Sequence, residues 1–423
     1  MKIIKKVLTI VPLIILLSSS LGCSKKDDGS NRDLIGPTSA QLPEEIWDGD
    51  IDETWFDKNE DVFIIKTAQE FAGLANLVNT GYTSFLNKKI VVENNIYLND
   101  TSTYDTWESD APSNRWIPIG IDDYAFRGVI DFCGHNVEGM FIDWRIINEH
   151  LSNVNLGLFG WVRMKSPDSP VYISNLQLYK SKILIPNQNH TIKNIGSVCG
   201  SISNGGTLGK LNGIINTVSD CKISSSESSI NYIGGISGFT QANIINCGYT
   251  GEMDLKNSPA KIGGIAAGGA FPSFVINSYS TANITGSNIK TTNAGTISYQ
   301  GLPFHCFYMK EGNYNKNHKA FGYVRSVENN EEFKPSGNGT FVDVSSTVTI
   351  PDPTLAHSGP SGYYGDNFKK SGQESYDNIL SALNSFSFAN YFTYNSNDDN
   401  QINKWEIKEG VNHGYPINVY KVA

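Results

Sequence analysis

Five glycine-rich units recur in order along the middle of the chain, and their spacing constrains the fold more than any other feature. Each unit carries one aliphatic residue beside its glycines, and the spacing between successive units is 40, 38, 29 and 32 residues. These aliphatic positions are Leu158, Val198, Ile236, Ile265 and Ile297. Such periods are typical of solenoid repeats. A compact core stops growing near ~250–300 residues, so this chain of 423 residues is predicted to grow in one dimension.

A second signature alternates with the first. It is a short run rich in β-branched residues that ends in Asn or Asp, and its copies are centred on Asn175, Asp220, Asn246 and Asn277. Such runs favour strands, and a repeat of short strands cannot bury its apolar face alone. Coils stacked about 4.8 Å apart would bury one apolar column. The pattern predicts a parallel β-solenoid in which the asparagines form ladders, each amide satisfying its neighbour's backbone.

These motifs resemble proteins that carry the GLUG motif, a Gly-Leu-any-Gly core found in repeats of bacterial surface proteins. Gly157–Gly160 matches that core, and the next three copies carry Ile or Val in place of Leu. Upstream, Trp116–Gly120 and Phe126–Met140 resemble the coil that commonly precedes such repeats. The resemblance covers about residues 48 to 310, with GLUG-like repeats at 157–310. It implies an all-β chain folded as a right-handed parallel β-helix.

Both ends of such a column expose strand edges, so we expect covers there. The capping box Thr67–Glu70 and the apolar spacing that follows predict a helix over residues 68–79 at the N-terminal end. At the other end a short helix is predicted near Asn378–Leu383. Trp405 and Gly414–Ile417 resemble the tryptophan and Gly-Tyr-Pro ending of related proteins. Residues 311–423 are thus an irregular region, weakest in pattern over 311–375, followed by a small helix and strand cap.

The first residues indicate export and lipidation. A basic start is followed by the apolar run Val7–Leu17, which is too short to span a bilayer but suits a signal peptide over residues 1–22. The small residues before Cys23 resemble a bacterial lipobox, with Ser20 where Leu is usual. The resemblance implies that Cys23 is acylated, palmitate included, and anchors the protein to the outer membrane. The alternative is an ordinary secretory signal with an incidental cysteine.

A tether is predicted over residues 23–45. Ser24–Asp28 resembles the charged signal that sends lipoproteins to the outer surface of some Gram-negative cells; the alternative is a solvated start to a linker. The formal net charge of −9 argues against nucleic acid as a partner, and against anionic lipid apart from the lipid anchor.

Aromatic residues, 11% of the chain, suggest a ligand class. Tyr and Trp among Asn, Ser and Thr suit stacking on sugar rings and hydrogen bonding to hydroxyls. The predicted binding residues are Trp107, Trp116, Trp144, Tyr249 and Tyr279. The alternative is that these side chains fill the column. Tyr249 and Tyr279 are placed on one face, which makes them core if that face points inward.

Catalytic and metal-binding signatures are weak. Three dipeptides echo polygalacturonase motifs: Asp122-Asp123, Gly134-His135 and Arg145-Ile146. The Asn-Thr-Asp of that family is absent. The favoured interpretation is therefore that Asp122-Asp123 forms a turn and that Asp131 and His135 belong to a bend. No His-Glu-any-any-His occurs and the seven histidines are scattered, so no metal and no cofactor is predicted.

The cysteines left after lipidation of Cys23 fall at repeat positions. They are Cys133, Cys199, Cys221, Cys247 and Cys306. Their odd number prevents complete pairing, and buried stacking is favoured over disulfides, although a bridge between neighbouring coils stays open.

Together these features predict a surface-anchored, monomeric, non-enzymatic binding or adhesion lipoprotein that presents a β-helix face to a glycan or a cell-surface protein. One alternative is a polysaccharide-degrading β-helix enzyme, a lyase or glycosidase, whose acids assemble in space. The other is a passive stalk or assembly subunit.

Overall fold

A computed structural model describes residues 45–121, 123–144, 154–165, 169–185, 192–203, 212–226, 229–256, 260–269, 273–286, 289, 294–300, 302–309, 330–333, 341–345, 379–386 and 402–420. The signal peptide, Cys23 and the tether up to residue 44 lie outside the described residues. Three residues of the polygalacturonase-like dipeptides also lie outside them: Asp122, Arg145 and Ile146.

The column is a parallel β-helix, as the repeats predicted. Successive coils place equivalent strands in hydrogen-bonded parallel register, and each of the five central coils contributes up to five short strands to five faces, here named a to e. Face a contains β1 (Val62–Ile65), β2 (Lys89–Val92), β4 (Val129–Asp131), β9 (Tyr172–Ser174), β14 (Gly213–Ile215), β19 (Asn243–Ile245) and β24 (Phe274–Ile276). Face b contains β3 (Ile96–Tyr97), β5 (Asn136–Glu138), β10 (Gln177–Tyr179), β15 (Val218–Ser219), β20 (Gly248–Tyr249) and β25 (Tyr279–Ser280). The long strand β28 (Leu302–Met309) continues both faces, since it pairs with β24 and with β25.

The other three faces complete each coil. Face c contains β6 (Phe141–Asp143), β11 (Lys182–Ile185), β16 (Lys222–Ser225), β21 (Glu252–Leu255) and β26 (Asn283–Thr285). Face d contains β7 (Val154–Leu156), β12 (Ile192–Gly196), β17 (Tyr232–Gly234), β22 (Lys261–Gly263) and β27 (Ala294–Gly295). Face e contains β8 (Phe159–Arg163), β13 (Cys199–Ser203), β18 (Ser237–Thr240) and β23 (Ala266–Gly268).

The five aliphatic repeat positions form one buried column at the corner between faces d and e. All five are 0% exposed. The Leu158 N–H donates to the Ser197 carbonyl, next to Val198, and the Ile236 N–H donates to the Ile265 carbonyl. The neighbouring glycines let two backbones meet, since a Cβ added to Gly200 would lie 2.6 Å from the Leu156 nitrogen. The repeat is thus a tight bend that needs glycine and buries one aliphatic side chain.

An asparagine ladder runs along the corner between faces a and b, but its bonds differ from the prediction. Each amide donates to the side-chain oxygen below it, Asn216 to Asn175 at 2.9 Å, Asn246 to Asn216 at 2.8 Å and Asn277 to Asn246 at 2.8 Å. All four asparagines have positive φ, from 46° to 58°. This conformation, which Asn tolerates better than most residues, turns the chain between the two faces.

The predicted ladder residue of the third coil was wrong. The sequence places Asp220 in the series, whereas the structure places Asn216 there. The reason is register: Ile214 and Ile215 pair with Ile173 and Ser174 on face a, while Val218 pairs with Gln177 on face b. Asp220 therefore follows face b, one strand later in the coil.

The N-terminal helix α1 (Ala68–Asn79) is confirmed, with both bonds of the capping box present. Its apolar face packs on the main core, where the Phe71 ring stacks on Trp116 with centroids 5.1 Å apart. After α1, a 3-10 helix (Thr101–Thr106) covers the start of face c.

The C-terminal elements lie along a lateral face of the column. They are α2 (Ile379–Asn384), β31 (Lys404–Glu406), a short 3-10 turn (Asn412–Gly414) and β32 (Ile417–Val419), with β31 and β32 paired antiparallel. We call residues 379–386 and 402–420 the C-terminal brace. Its buried apolar residues form a cluster with outward side chains of face b, including Tyr179, Val218 and Tyr279.

The region over 311–375, predicted as irregular, includes two described strands. They are β29 (Asn330–Phe333) and β30 (Phe341–Ser345), and β30 pairs antiparallel with β28.

Candidate functional site

The five aromatic residues predicted to bind sugars are all buried. Their exposed fractions are 0% for Trp107, Tyr249 and Tyr279, and 2% for Trp116 and Trp144. Prediction of these residues as surface platforms was therefore wrong. Each ring is engaged inside the protein: the indole N–H of Trp116, for example, donates to the Leu158 carbonyl at 3.0 Å.

Tyr249 and Tyr279 also lie on opposite sides of their face. The register pairs Gly248 with Tyr279 and Tyr249 with Ser280, so the two rings are one residue out of phase. Tyr249 points into the main core and its hydroxyl donates to the Cys221 carbonyl at 2.8 Å. Tyr279 points outward but lies under the brace, with its hydroxyl donating to the Pro416 carbonyl at 2.6 Å.

Asp131 and His135, at the segment that resembles a polygalacturonase motif, make contacts that stabilise the coil. The Asp131 carboxylate accepts from the Cys133 N–H at 2.9 Å and from the Asn175 amide at 2.8 Å, at the foot of the ladder. His135 Nδ1 lies 3.3 Å from Asn95 Oδ1. These contacts agree with the interpretation of the segment as a bend, in which Gly134 has φ of +79°.

Ionisable groups gather where face b meets face c, beside the brace. The Asp220 carboxylate accepts from the Lys180 N–H at 2.7 Å and lies 3.5 Å from His413 Nε2. Lys222 Nζ lies 3.1 Å from a Glu252 oxygen. We call Asp220, Lys222, Glu252 and His413, with the nearby Glu138, the wall cluster. It brings carboxylates together, as the alternative of an enzyme requires, but Asp220 and Glu252 already bond to partners within the protein.

Two pKa shifts in the wall cluster have clear causes. Burial raises the pKa of the Glu138 carboxyl, which is only 3% exposed and therefore closed to a substrate in this structure. The hydrogen bond to Asp220 raises the pKa of His413. That ring is 64% exposed, so the pair is screened by water.

Four of the cysteines carry buried thiols: Cys199, Cys221, Cys247 and Cys306. Burial raises the pKa of Cys247 to about 12, which leaves an unreactive thiol at neutral pH. These four pack inside the column, as the sequence favoured.

Exposed tyrosines lie instead at the N-terminal end. Tyr82 is 69% exposed and Tyr124 is 46% exposed, and neither is among the five predicted binding residues. Their positions in the sequence could have indicated exposure. Tyr82 comes after the predicted helix and directly after Gly81, and Tyr124 comes directly after the predicted Asp122-Asp123 turn. We call Tyr82 and Tyr124 the tyrosine pair.

Neither a metal-binding group nor a membrane-spanning helix occurs among the described residues. Within those residues no group of three or more His, Cys, Asp or Glu side chains is arranged to hold a metal ion. Over the same part of the chain, no helix combines the length and apolar character needed to cross a membrane.

Comparison with known proteins gives one structural match and no family. No family model matches the chain, and no curated protein matches it. Among solved structures the chain is similar to a "putative immunoglobulin A1 protease" from Bacteroides ovatus, at 14% identity and a TM-score of 0.40, over 85% of this chain and 93% of that one. A match at this similarity assigns neither a fold nor a function to this chain.

Proposed function

We propose that this protein is a surface-anchored binding or adhesion lipoprotein that presents its β-helix to a glycan or to a cell-surface protein. One observation carries the proposal: the large hydrophobic side chains left exposed are concentrated at one end of the column. Among the described residues these are Ile51, Val62, Tyr82, Ile117, Tyr124 and Ile407. Five of these six belong to residues 51–124, before the first complete coil.

Exposed apolar side chains that share one end of a molecule favour an interaction site there, whereas single scattered ones need no explanation. Helix α1 supports the same end, because its Phe71 lies in the main core beside Trp116 and Phe132. A preorganised surface loses little conformational entropy when a partner binds. The N-terminal end is therefore better suited to binding a partner than the surface of face b, which the C-terminal brace covers.

Anchoring completes the proposal. Cys23 would hold the protein to the outer membrane through its acyl chains, and each buried CH₂ of those chains contributes about 0.8 kcal/mol. Residues 24–45 would then separate the β-helix from the lipid by up to about 75 Å when fully extended. No cofactor is required for such a role.

A glycan array tests the proposal with protein that begins at residue 46, together with pull-down of intact bacterial and host cell surfaces. We expect saturable binding to a defined glycan or surface without change to the ligand. Cleavage of the ligand, seen as new reducing ends or unsaturated sugars, would support the enzyme alternative. Absence of binding in both assays would favour a passive stalk and contradict the proposal.

A further inference from the structure

We infer that the tyrosine pair is a stacking platform for a neutral pyranose ring of a polysaccharide. This inference rests on the proposed function and names the residues and the ligand class for it. The rings are among the most exposed large side chains of the described residues, at 69% for Tyr82 and 46% for Tyr124.

The local backbone brings the two tyrosines together. Helix α1 ends at Asn79, and Gly81 turns the chain with φ of +73°, a conformation that glycine adopts without steric cost. The Tyr124 ring lies directly against Gly81, because a Cβ added there would be 2.3 Å from a ring carbon of Tyr124. Tyr82 follows Gly81 directly in the chain, so the two exposed tyrosines lie on adjoining parts of the surface.

The loops that carry the pair are fixed to each other by one side chain. The Asn79 amide donates to the Pro118 carbonyl at 3.0 Å, and its oxygen accepts from the Gly120 N–H at 2.8 Å. Tyr82 is supported from behind by Phe56, with ring centroids 5.9 Å apart in an edge contact. The platform is thus held in place before any ligand arrives, which lowers the entropic cost of binding.

The chemistry of the patch favours a sugar. A phenol ring offers an apolar face and a hydroxyl at its rim, which matches the apolar face and hydroxyl edge of a pyranose. Exposed Thr80 and Asp123 adjoin the pair in sequence, and exposed Asp57 follows Phe56, whose ring contacts Tyr82. These residues supply polar atoms at the border of the pair. The two carboxylates, on a chain of net charge −9, disfavour uronates and sulfated sugars.

Size separates this ligand from a protein partner. A stable protein interface uses about 20–30 residues on each side, whereas the pair and its border comprise only a handful. A polysaccharide compensates for a small site because it offers many copies of its repeat to a protein on a surface.

Affinity electrophoresis tests the inference with the protein from residue 46 onward and gels that contain a neutral β-glucan, mannan or galactan, with polygalacturonate as the acidic comparison. We expect at least one neutral polymer to retard the wild type and polygalacturonate to leave its mobility unchanged. The double variant Y82A/Y124A should bind that polymer at least about tenfold more weakly, whereas Y82F/Y124F should stay within about threefold because the rings remain.

Ile407→Ala is the matched control, since Ile407 is 47% exposed but lies on the C-terminal brace. It should leave binding unchanged, and thermal unfolding should show that every variant remains folded. Binding of a glycan by the wild type that Y82A/Y124A does not weaken would overturn the tyrosine platform while leaving the proposed function intact. Binding only to acidic glycans, or only to a protein, would also overturn it. Absence of any partner would count against both.

Discussion

At the residue scale, the asparagine ladder shows one residue type doing three tasks. Asn216 holds φ at +51°, and its side chain both donates to Asn175 and accepts from Asn246. Its oxygen also accepts from the Asn403 N–H of the brace at 3.1 Å. The ladder therefore turns the chain, ties successive coils and receives the brace.

Replacement of Asn216 should separate these tasks. Asn216→Ala should lower the free energy of unfolding by at least about 2 kcal/mol, because buried partners lose their bonds and alanine is strained at positive φ. Asn216→Gly should lower it by about 1 kcal/mol less, since glycine relieves only the strain. Urea unfolding measures both.

The exposed Asn231 provides the control, because Asn231→Ala removes an asparagine amide on the surface. Its effect should stay below about 0.5 kcal/mol. Equal stabilities of the alanine and glycine variants at position 216 would show that backbone strain contributes nothing there.

His305 ends the described ladder and introduces a pH dependence. Its Nδ1 lies 3.0 Å from Asn277 Oδ1, and burial lowers its pKa to about 4. The unfolded chain binds a proton near pH 6.5, while the folded chain resists protonation. Stability from this group is therefore complete above about pH 6.5 and falls as the pH drops toward 4.

His305→Asn should remove this component while keeping a polar group for Asn277. The difference in unfolding free energy between wild type and variant should shrink by up to about 3 kcal/mol from pH 7 to pH 4. Chemical denaturation at fixed pH values measures it. A constant difference between the two proteins over that range would contradict the assignment.

At the element scale, the bend between faces d and e depends on glycine where backbones touch. A Cβ on Gly238 would lie 2.6 Å from the Ile195 nitrogen and 2.7 Å from the Gly200 oxygen. Gly238→Ala should lower the free energy of unfolding by about 1–3 kcal/mol through overpacking. Thermal or urea unfolding checks this expectation.

The next coil provides a natural control. Ala267 occupies the position opposite Gly238, since Ser237 pairs with Ala266 and Phe239 with Gly268. There a Cβ is already accommodated, so Ala267→Gly should cost only about 0.5–1 kcal/mol. A harmless Gly238→Ala would show that the bend widens freely, and the explanation of the repeat would be wrong.

The brace is a second element with its own pH response. The raised pKa of His413 means that its bond to Asp220 contributes stability fully below about pH 6.5 and loses it as the pH rises through the folded pKa. Hydrogen exchange of β31 and β32, corrected for intrinsic rates, should show about two- to fivefold more protection at pH 5.5 than at pH 8.5.

His413→Gln should remove most of this difference, because glutamine does not titrate. The same exchange measurement on face a, for example β14, provides an internal reference away from His413. If the variant kept the full pH response of β31 and β32, another group would be responsible.

At the scale of the whole molecule, the brace links coils that are distant in sequence. Asn403 donates to Asn175, Asn418 donates to the Asn246 carbonyl, and Tyr279 bonds to Pro416. In a solenoid each coil otherwise contacts only its neighbours. The brace therefore adds connections across several coils and covers the wall that face b would otherwise expose.

The predicted anchor also acts at this scale. Cys23→Ala should move the protein from the outer-membrane fraction to the soluble fraction and abolish its labelling with palmitate, because the acyl chains supply the membrane affinity. Ser24→Ala keeps the cysteine and should keep both properties. Labelling of the Cys23→Ala protein would contradict lipidation at this residue.

The repeats in the sequence predicted much of the fold. The aliphatic positions, the bends and the asparagines of three coils follow from the repeat, because each coil meets its neighbour after 29 to 40 residues. Helix α1 follows from its capping box and apolar spacing. Glycine and asparagine mark the turns because few other residues adopt the required backbone conformations.

The tertiary structure showed the register of the third coil, the burial of the five predicted aromatic residues and the packing of the brace against face b. Asn216 and Asp220 each end a short β-branched run, and strand pairing places Asn216 in the ladder. Tyr279 points outward like a surface residue, yet contacts from 137 positions away bury it. Local periodicity reports which way a side chain points, but it carries no information on what distant segment covers that side.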